Sequence, residues 1–358
     1  MTIQAYERFV FIRLCLIIAC VLQPCINLLL LYHGGNVVTI SVATLVISFL
    51  TYVVYYCYAK KVLDLKYKFD NFDKNLFKNI FVFSAFLFLN TITDQLTFST
   101  DNIILGIFSG SIMVAIYSVG SNFKNYFMAF STSASSVFAP KINKIIAESG
   151  SDDETNEIFI RIGRIQFYIV TLILLGYIFL GRQFVYLWVG NEYSDAYWIG
   201  LLLMISVYVP CFQNIGLEIQ KAKNMHKARS VVYFLIAIVN IIITIPLSLL
   251  YGGIGASFAT CLCMFIGTVI FMNIYNYKKV GIDIPAFWKS IFRILPGMII
   301  PIVYGVFINC FININSYWNL LFVILGFVLV YFLSCWFFSM NHYEKDIFSK
   351  PLKRFLKK

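Results

Sequence analysis

The sequence predicts an all-α, polytopic membrane helix bundle of about ten transmembrane helices. Three observations predict it. Of 358 residues, 60% are hydrophobic and 13% are charged, where soluble domains average about 25% charged residues. Apolar runs of roughly 20 residues, the length that spans a bilayer core as a helix, recur from end to end. The basic residues fall on alternate ends of those runs, which is how positive charge orients a membrane chain.

The spans are placed near 9–32, 37–58, 79–105, 111–139, 164–181, 197–217, 229–250, 254–276, 287–310 and 316–340. The first is too long for a signal-peptide core and lacks a clear cleavage site, so it reads as a retained span. Its polar mid-section, Gln23, Pro24 and Asn27, suits helix packing. The third and fourth form a hairpin with its turn near "IFSGS". Pro210 with Gln213 and Asn214 in the sixth, Asn240 with Pro246 in the seventh, and Pro296 with Pro301 in the ninth suggest kinks with freed carbonyls.

The charge pattern sets the topology. The N-terminal flank, the loops around 60–78, 141–164, 221–229 and 278–293, and the tail after 345 hold 26 of the 28 Lys and Arg residues. The opposite face holds Arg182, and Lys124 lies within a span. Both termini are therefore expected in the cytoplasm. The net charge of +11 then reflects basic loops facing anionic head groups. These residues are dispersed rather than gathered in a patch, which argues against nucleic acid as a partner. The outer loops "HGGN", "YGG" and "NCFININSY" are short, and the longest, "RQFVYLWVGNEYSDAY", is 16 residues. That leaves no room for an outer catalytic domain.

The nine cysteines are scattered without a CxxC pair, and His33, His226 and His342 are far apart. No metal site, cofactor motif or nucleophile–base constellation is suggested. An integral-membrane polymerase would be expected to carry a long basic outer loop, and an acyltransferase a histidine near its acyl site. The sequence offers neither, so no enzyme is expected.

Two polar stripes stand out. Asn90, Asp94, Thr97 and Asp101 share one face of the third span, and Tyr117, Ser121, Lys124, Met128, Ser131 and Ser135 one face of the fourth. Asn122 and Asn125 are expected to widen the second stripe. Asp94 and Lys124 are each 15 residues from Ser109, which puts them at similar depth, about 20 Å from the cytoplasmic ends. A lysine reaches only about 6 Å, too short to snorkel from there. Lys124 then pairs with Asp94, faces a wet cavity, or does both in different states. A buried pair that only fixes helix register competes with a cationic point on a transport path. Asp101 is expected at the outer interface, in a solvated role.

"DNIILGIFSGSIMVAIYSVG" (101–120), "FVYLWVGNEYSDAY" (184–197) and "NIIITIPLSLLYGGIGASFAT" (240–260) resemble the Wzx-type polysaccharide and O-antigen flippases. These belong to the superfamily that includes multidrug extruders of the MATE type and peptidoglycan-precursor lipid flippases. The resemblance covers essentially the whole chain. It implies two six-helix lobes, often followed by two further helices. Residues 1–78 would be the last two helices of an incomplete N-terminal lobe, 79–276 the six-helix C-terminal lobe, and 277–358 the extra pair and basic tail. About four N-terminal helices of the family pattern are then expected to lie outside this chain, through truncation, a misplaced start, or supply by another chain.

The resemblance further implies export of an undecaprenyl-pyrophosphate-linked oligosaccharide across the bacterial cytoplasmic membrane for surface polysaccharide, such as the O-antigen of lipopolysaccharide. Membrane lipids and other polysaccharide-assembly proteins are the implied partners, and no cofactor or metal is implied. The implied cavity is Lys124, Asp94, Asn90, Tyr117, Ser121, Asn122 and Asn125, with Lys124 meeting the pyrophosphate and the amides and hydroxyls meeting sugar. A multidrug or cation extruder of the same superfamily, or a non-functional remnant, is the alternative.

Overall fold

The computed structural model describes residues 9–61, 74–136, 142, 145, 152–223, 225, 227–312 and 314–346. Many side chains between 75 and 98, those of Asn90, Asp94 and Thr97 among them, lie outside that description. The described helices are α1 (Phe9–Tyr32), α2 (Val37–Lys61), α3 (Lys74–Phe108), α4 (Gly110–Ser136), α5 (Asp152–Val189), α6 (Asp195–Phe212), α7 (Asn214–Ala222), α8 (Lys227–Met264), α9 (Ile284–Phe292), α10 (Ile299–Phe311) and α11 (Tyr317–Phe338). No strand occurs among the described residues. The all-α bundle expected from the sequence is what forms, and each of the ten expected spans falls largely on helix where its residues are described.

Among the described residues, six helices are long and apolar enough to cross a membrane, with a seventh if α9 and the segment Leu295–Phe311, bent by 42°, count as one span. The 52-residue stretch Arg229–Val280 is one of the six, but it is a hairpin. Gly252, at φ 57° and ψ −136°, breaks it, and Asn240 meets Thr260 across the two arms. That conformation is open to glycine and strained for other residues. Pro246 lies inside the first arm, six residues before this break. Beyond Met264 the second arm passes through two π-helical turns, Phe265–Phe271 and Asn276–Val280. The helices α3 and α4, 35 and 27 residues long, are long enough to span but carry the polar stripes.

The chain divides into two compact units, Met1–Val82 and Phe83–Lys358. In the first, α1 and α2 form a hairpin in which the Gln23 amide donates to Thr44 Oγ1 at 3.2 Å. Its apolar side chains are largely exposed, as lipid contact allows.

In the second unit the core lies around α5 and α6. One cluster joins Phe159, Phe212 and Phe287 from α5, α6 and α9, another joins Leu105, Tyr117, Phe127, Ile199 and Leu203, and a third joins Phe179, Ile308 and Phe327. Lipid tails are as apolar as these side chains, so close packing rather than water exclusion holds such helices. Gly120 shows how close: a Cβ there would lie 2.7 Å from Ile199 Cγ2 and 2.9 Å from the Ala196 carbonyl oxygen. The helices α9 to α11 are anchored by Arg164. Its guanidinium grips Glu344 through Nε at 2.5 Å and Nη2 at 3.0 Å and donates to the Ser290 carbonyl at 2.9 Å. The Asn341 N–H, at 2.9 Å, and the Tyr168 hydroxyl also donate to Glu344 Oε2. Glu344 lies 2% exposed.

Candidate functional site: a buried charge cluster

The helices α3 and α4 are the arms of a hairpin that turns at Ser109, as the sequence predicts. Residues equally far from that turn come level, and Asp101 and Tyr117 are each eight residues away. The Tyr117 hydroxyl donates to Asp101 Oδ2 at 2.5 Å. Thr260, from the second arm of the Gly252 hairpin, donates to the same oxygen at 2.9 Å. Asn240 Nδ2 donates to Thr260 at 3.2 Å, and Thr244 donates to Asn240 Oδ1 at 3.3 Å. Asp101, Tyr117, Asn240, Thr244 and Thr260 are all fully buried. Asp101 Oδ1 has no hydrogen-bond partner among the described residues. A carboxylate with a bare oxygen at this burial is an expensive arrangement, and intramembrane charges of this kind mark functional sites.

Lys124 completes the cluster. It lies seven residues beyond Tyr117 on the same inward face of α4, is 3% exposed, and is near enough to Asp101 for the two charges to attract. Helix geometry favours that attraction. Side chains lean toward the N-terminus of their own helix, and α3 and α4 run in opposite directions. Lys124 therefore leans toward Asp101, and Asp101 toward Lys124.

The sequence placed Asp101 at a solvated outer interface, and the structure overturns that. The helix α3 continues to Phe108, and Thr260 packs over the carboxylate, so Asp101 is interior. Asp94, the expected partner of Lys124, and Asn90 have side chains outside the described residues. Tyr117 and Lys124 are both buried on one face of α4. Ser121 is half-buried and its hydroxyl bonds back to the Ser118 carbonyl at 3.0 Å. Asn122 and Asn125 are exposed. At about 100° per residue they point away from Lys124, so the structure divides the expected cavity set over two faces of α4. Asn240, Thr244 and Thr260 were not singled out as site residues. Asn240 and Thr244, four apart on one face, were the legible part; a lone threonine in an apolar span carries no signal.

The model of the family described as "Polysaccharide biosynthesis protein" matches residues 3–197. No curated protein matches the chain. Among solved structures, the chain is similar to a lipid II flippase, MurJ, in an inward closed conformation. The two are 17% identical with a TM-score of 0.67, and the likeness covers 91% of this chain and 65% of that one. At this identity the likeness is one of fold, and the chain spans about two thirds of the flippase's length.

Proposed function

We propose a function that proceeds from one fact: the chain belongs to the polysaccharide biosynthesis protein family. It moves a lipid-linked oligosaccharide from the cytoplasmic to the outer leaflet, with an undecaprenyl-pyrophosphate carrier as the substrate class and the bacterial cytoplasmic membrane as the site. Both termini face the cytoplasm. The fold it shares with a lipid-precursor flippase supports this reading. The observation that carries it is the buried cluster of Asp101, Tyr117, Lys124 and Thr260, because a protein that only needs to stand in a membrane does not require charge there.

The residues divide the work. The exposed amides of Asn122 and Asn125 present donors and acceptors to sugar hydroxyls. Lys124, buried near Asp101 on the inward face of α4, supplies the cation that an entering pyrophosphate attracts. Drawing Lys124 away from Asp101 shifts the packing of α4 against the Gly252 hairpin, and so couples occupancy to rocking of the lobe. The lipid tail stays in the bilayer, and no covalent step is part of the reading. Asp101 favours a second reading, export of an organic cation, since a bare carboxylate oxygen would attract one.

The test uses the full chain in liposomes loaded with a fluorescent polyprenyl-pyrophosphate oligosaccharide on the inner leaflet. Lectin accessibility from outside should rise with time. A correctly inserted chain that leaves the glycan inaccessible, yet moves an organic cation, would replace the first reading with the second.

A further inference from the structure

A second polar site lies at the other end of α5. Arg182, Gln183, Tyr186, Gly190, Asn191, Ser194 and Ile314 line a cavity of about 340 Å³. It is shared between the end of α5, the turn into α6 and the loop before α11, and α10 and α11 are tied to the same end of α5. Gln183 donates to Asn309 of α10 at 3.0 Å, and the Tyr317 hydroxyl of α11 donates to the Leu187 carbonyl at 2.5 Å. Arg182 is exposed and makes no hydrogen bond or ion pair among the described residues. Ser194 stands at the N-cap of α6 without using its hydroxyl to cap. By the charge pattern this is the face opposite the basic loops, where Arg182 is alone in carrying positive charge.

We propose that this cavity binds the phosphate of a lipid headgroup in the leaflet opposite the basic loops. A guanidinium with its fork of donors uncommitted matches phosphate oxygens two at a time, and the Ser194 hydroxyl and Asn191 amide add neutral donors from the same rim. The volume is within the range of small-molecule sites and suits a headgroup rather than a whole lipid. Glu192 and Asp195 belong to the same turn and oppose a freely diffusing anion. A phosphate anchored in the bilayer overcomes that through its high local concentration. Two sources share this chemistry: a glycerophospholipid, and the pyrophosphate of a polyprenyl carrier after export. The site itself stands on its geometry, and only the polyprenyl source rests on the export reading.

Native mass spectrometry of the detergent-solubilised full chain tests the proposal. Phosphatidylglycerol and undecaprenyl pyrophosphate are titrated separately, with inorganic pyrophosphate as the soluble probe. The wild-type chain should retain at least one lipid and bind the soluble anion far more weakly. Arg182→Gln should weaken lipid retention by roughly tenfold or more, the loss of a charge-assisted bond, and Arg182→Lys should fall between. Asn191→Ala with Ser194→Ala should weaken it about threefold while leaving the cation in place. Retention by Arg182→Gln within twofold of wild type for both lipids overturns the site. So does an Arg182→Gln loss with no effect of the double variant, which would make Arg182 an interfacial anchor rather than part of a pocket. Retention of phosphatidylglycerol alone keeps the site and counts against the carrier as its ligand, independently of the liposome assay.

Discussion

Removing the charge from Asp101 and Lys124, singly and together, is the sharpest perturbation the cluster offers. The depth offset between them is seven residues on α4, or about 10 Å. A lysine side chain leaning toward Asp101 covers about 6 Å of that, leaving an axial gap of roughly 4–5 Å between the charges. At an effective dielectric near 20 such a separation is worth at most about 3–4 kcal/mol. Asp101→Asn should therefore destabilise the chain by up to about 3–4 kcal/mol, the loss of that attraction. The asparagine still accepts from Tyr117 or Thr260 and keeps the shape. Lys124→Met should cost a similar amount. The pair Asp101→Asn with Lys124→Met removes both charges, so its cost should fall at least about 2 kcal/mol below the sum. Denaturant unfolding of the purified variants in micelles, followed by tryptophan fluorescence, measures all three. Additive costs would refute the electrostatic link. A double variant that regains stability and exports normally would confine the cluster to a structural role and remove Lys124 from the proposed mechanism.

Glu344→Gln should lower unfolding stability by roughly 3 kcal/mol, because it strips the buried Arg164 guanidinium of its anion, and limited proteolysis should then release the α9–α11 segment first. Gly252→Ala should cost about 1–3 kcal/mol for its backbone conformation; an unchanged thermal midpoint would contradict the turn. Asn122→Leu with Asn125→Leu should leave stability within about 0.5 kcal/mol, since both are exposed, while lowering glycan export in the liposome assay. A reporter active only outside the cytoplasm, fused after Lys358, should stay silent, and activity there would overturn the orientation derived from the basic loops.

The fold was legible because a membrane chain writes its spans as apolar length and its orientation as basic loops, two signals that survive in a single sequence. The hairpin of α3 and α4 was legible for the same reason: "IFSGS" lies between two long segments, and counting from Ser109 correctly makes residues on the two arms level. That count paired Lys124 with Asp94 because the two are equidistant from the turn. The same count makes Tyr117 level with Asp101, but nothing local to Asp101 separates a buried carboxylate from one solvated at the outer interface. What decided the matter is not local. Asp101 is interior because Thr260, 159 residues further along the chain, closes over it, and Thr260 is there because Gly252 turns a continuous apolar stretch back on itself. Likewise Asn122 and Asn125 were grouped with Lys124 by nearness in sequence, whereas the close approach of α4 to α6 at Gly120 sets which face turns inward. Helical spacing identifies residues that share a face; which face meets which neighbour depends on contacts between segments far apart in the chain. The charges were therefore readable as residues needing partners, and their partners became readable only once the helices were packed.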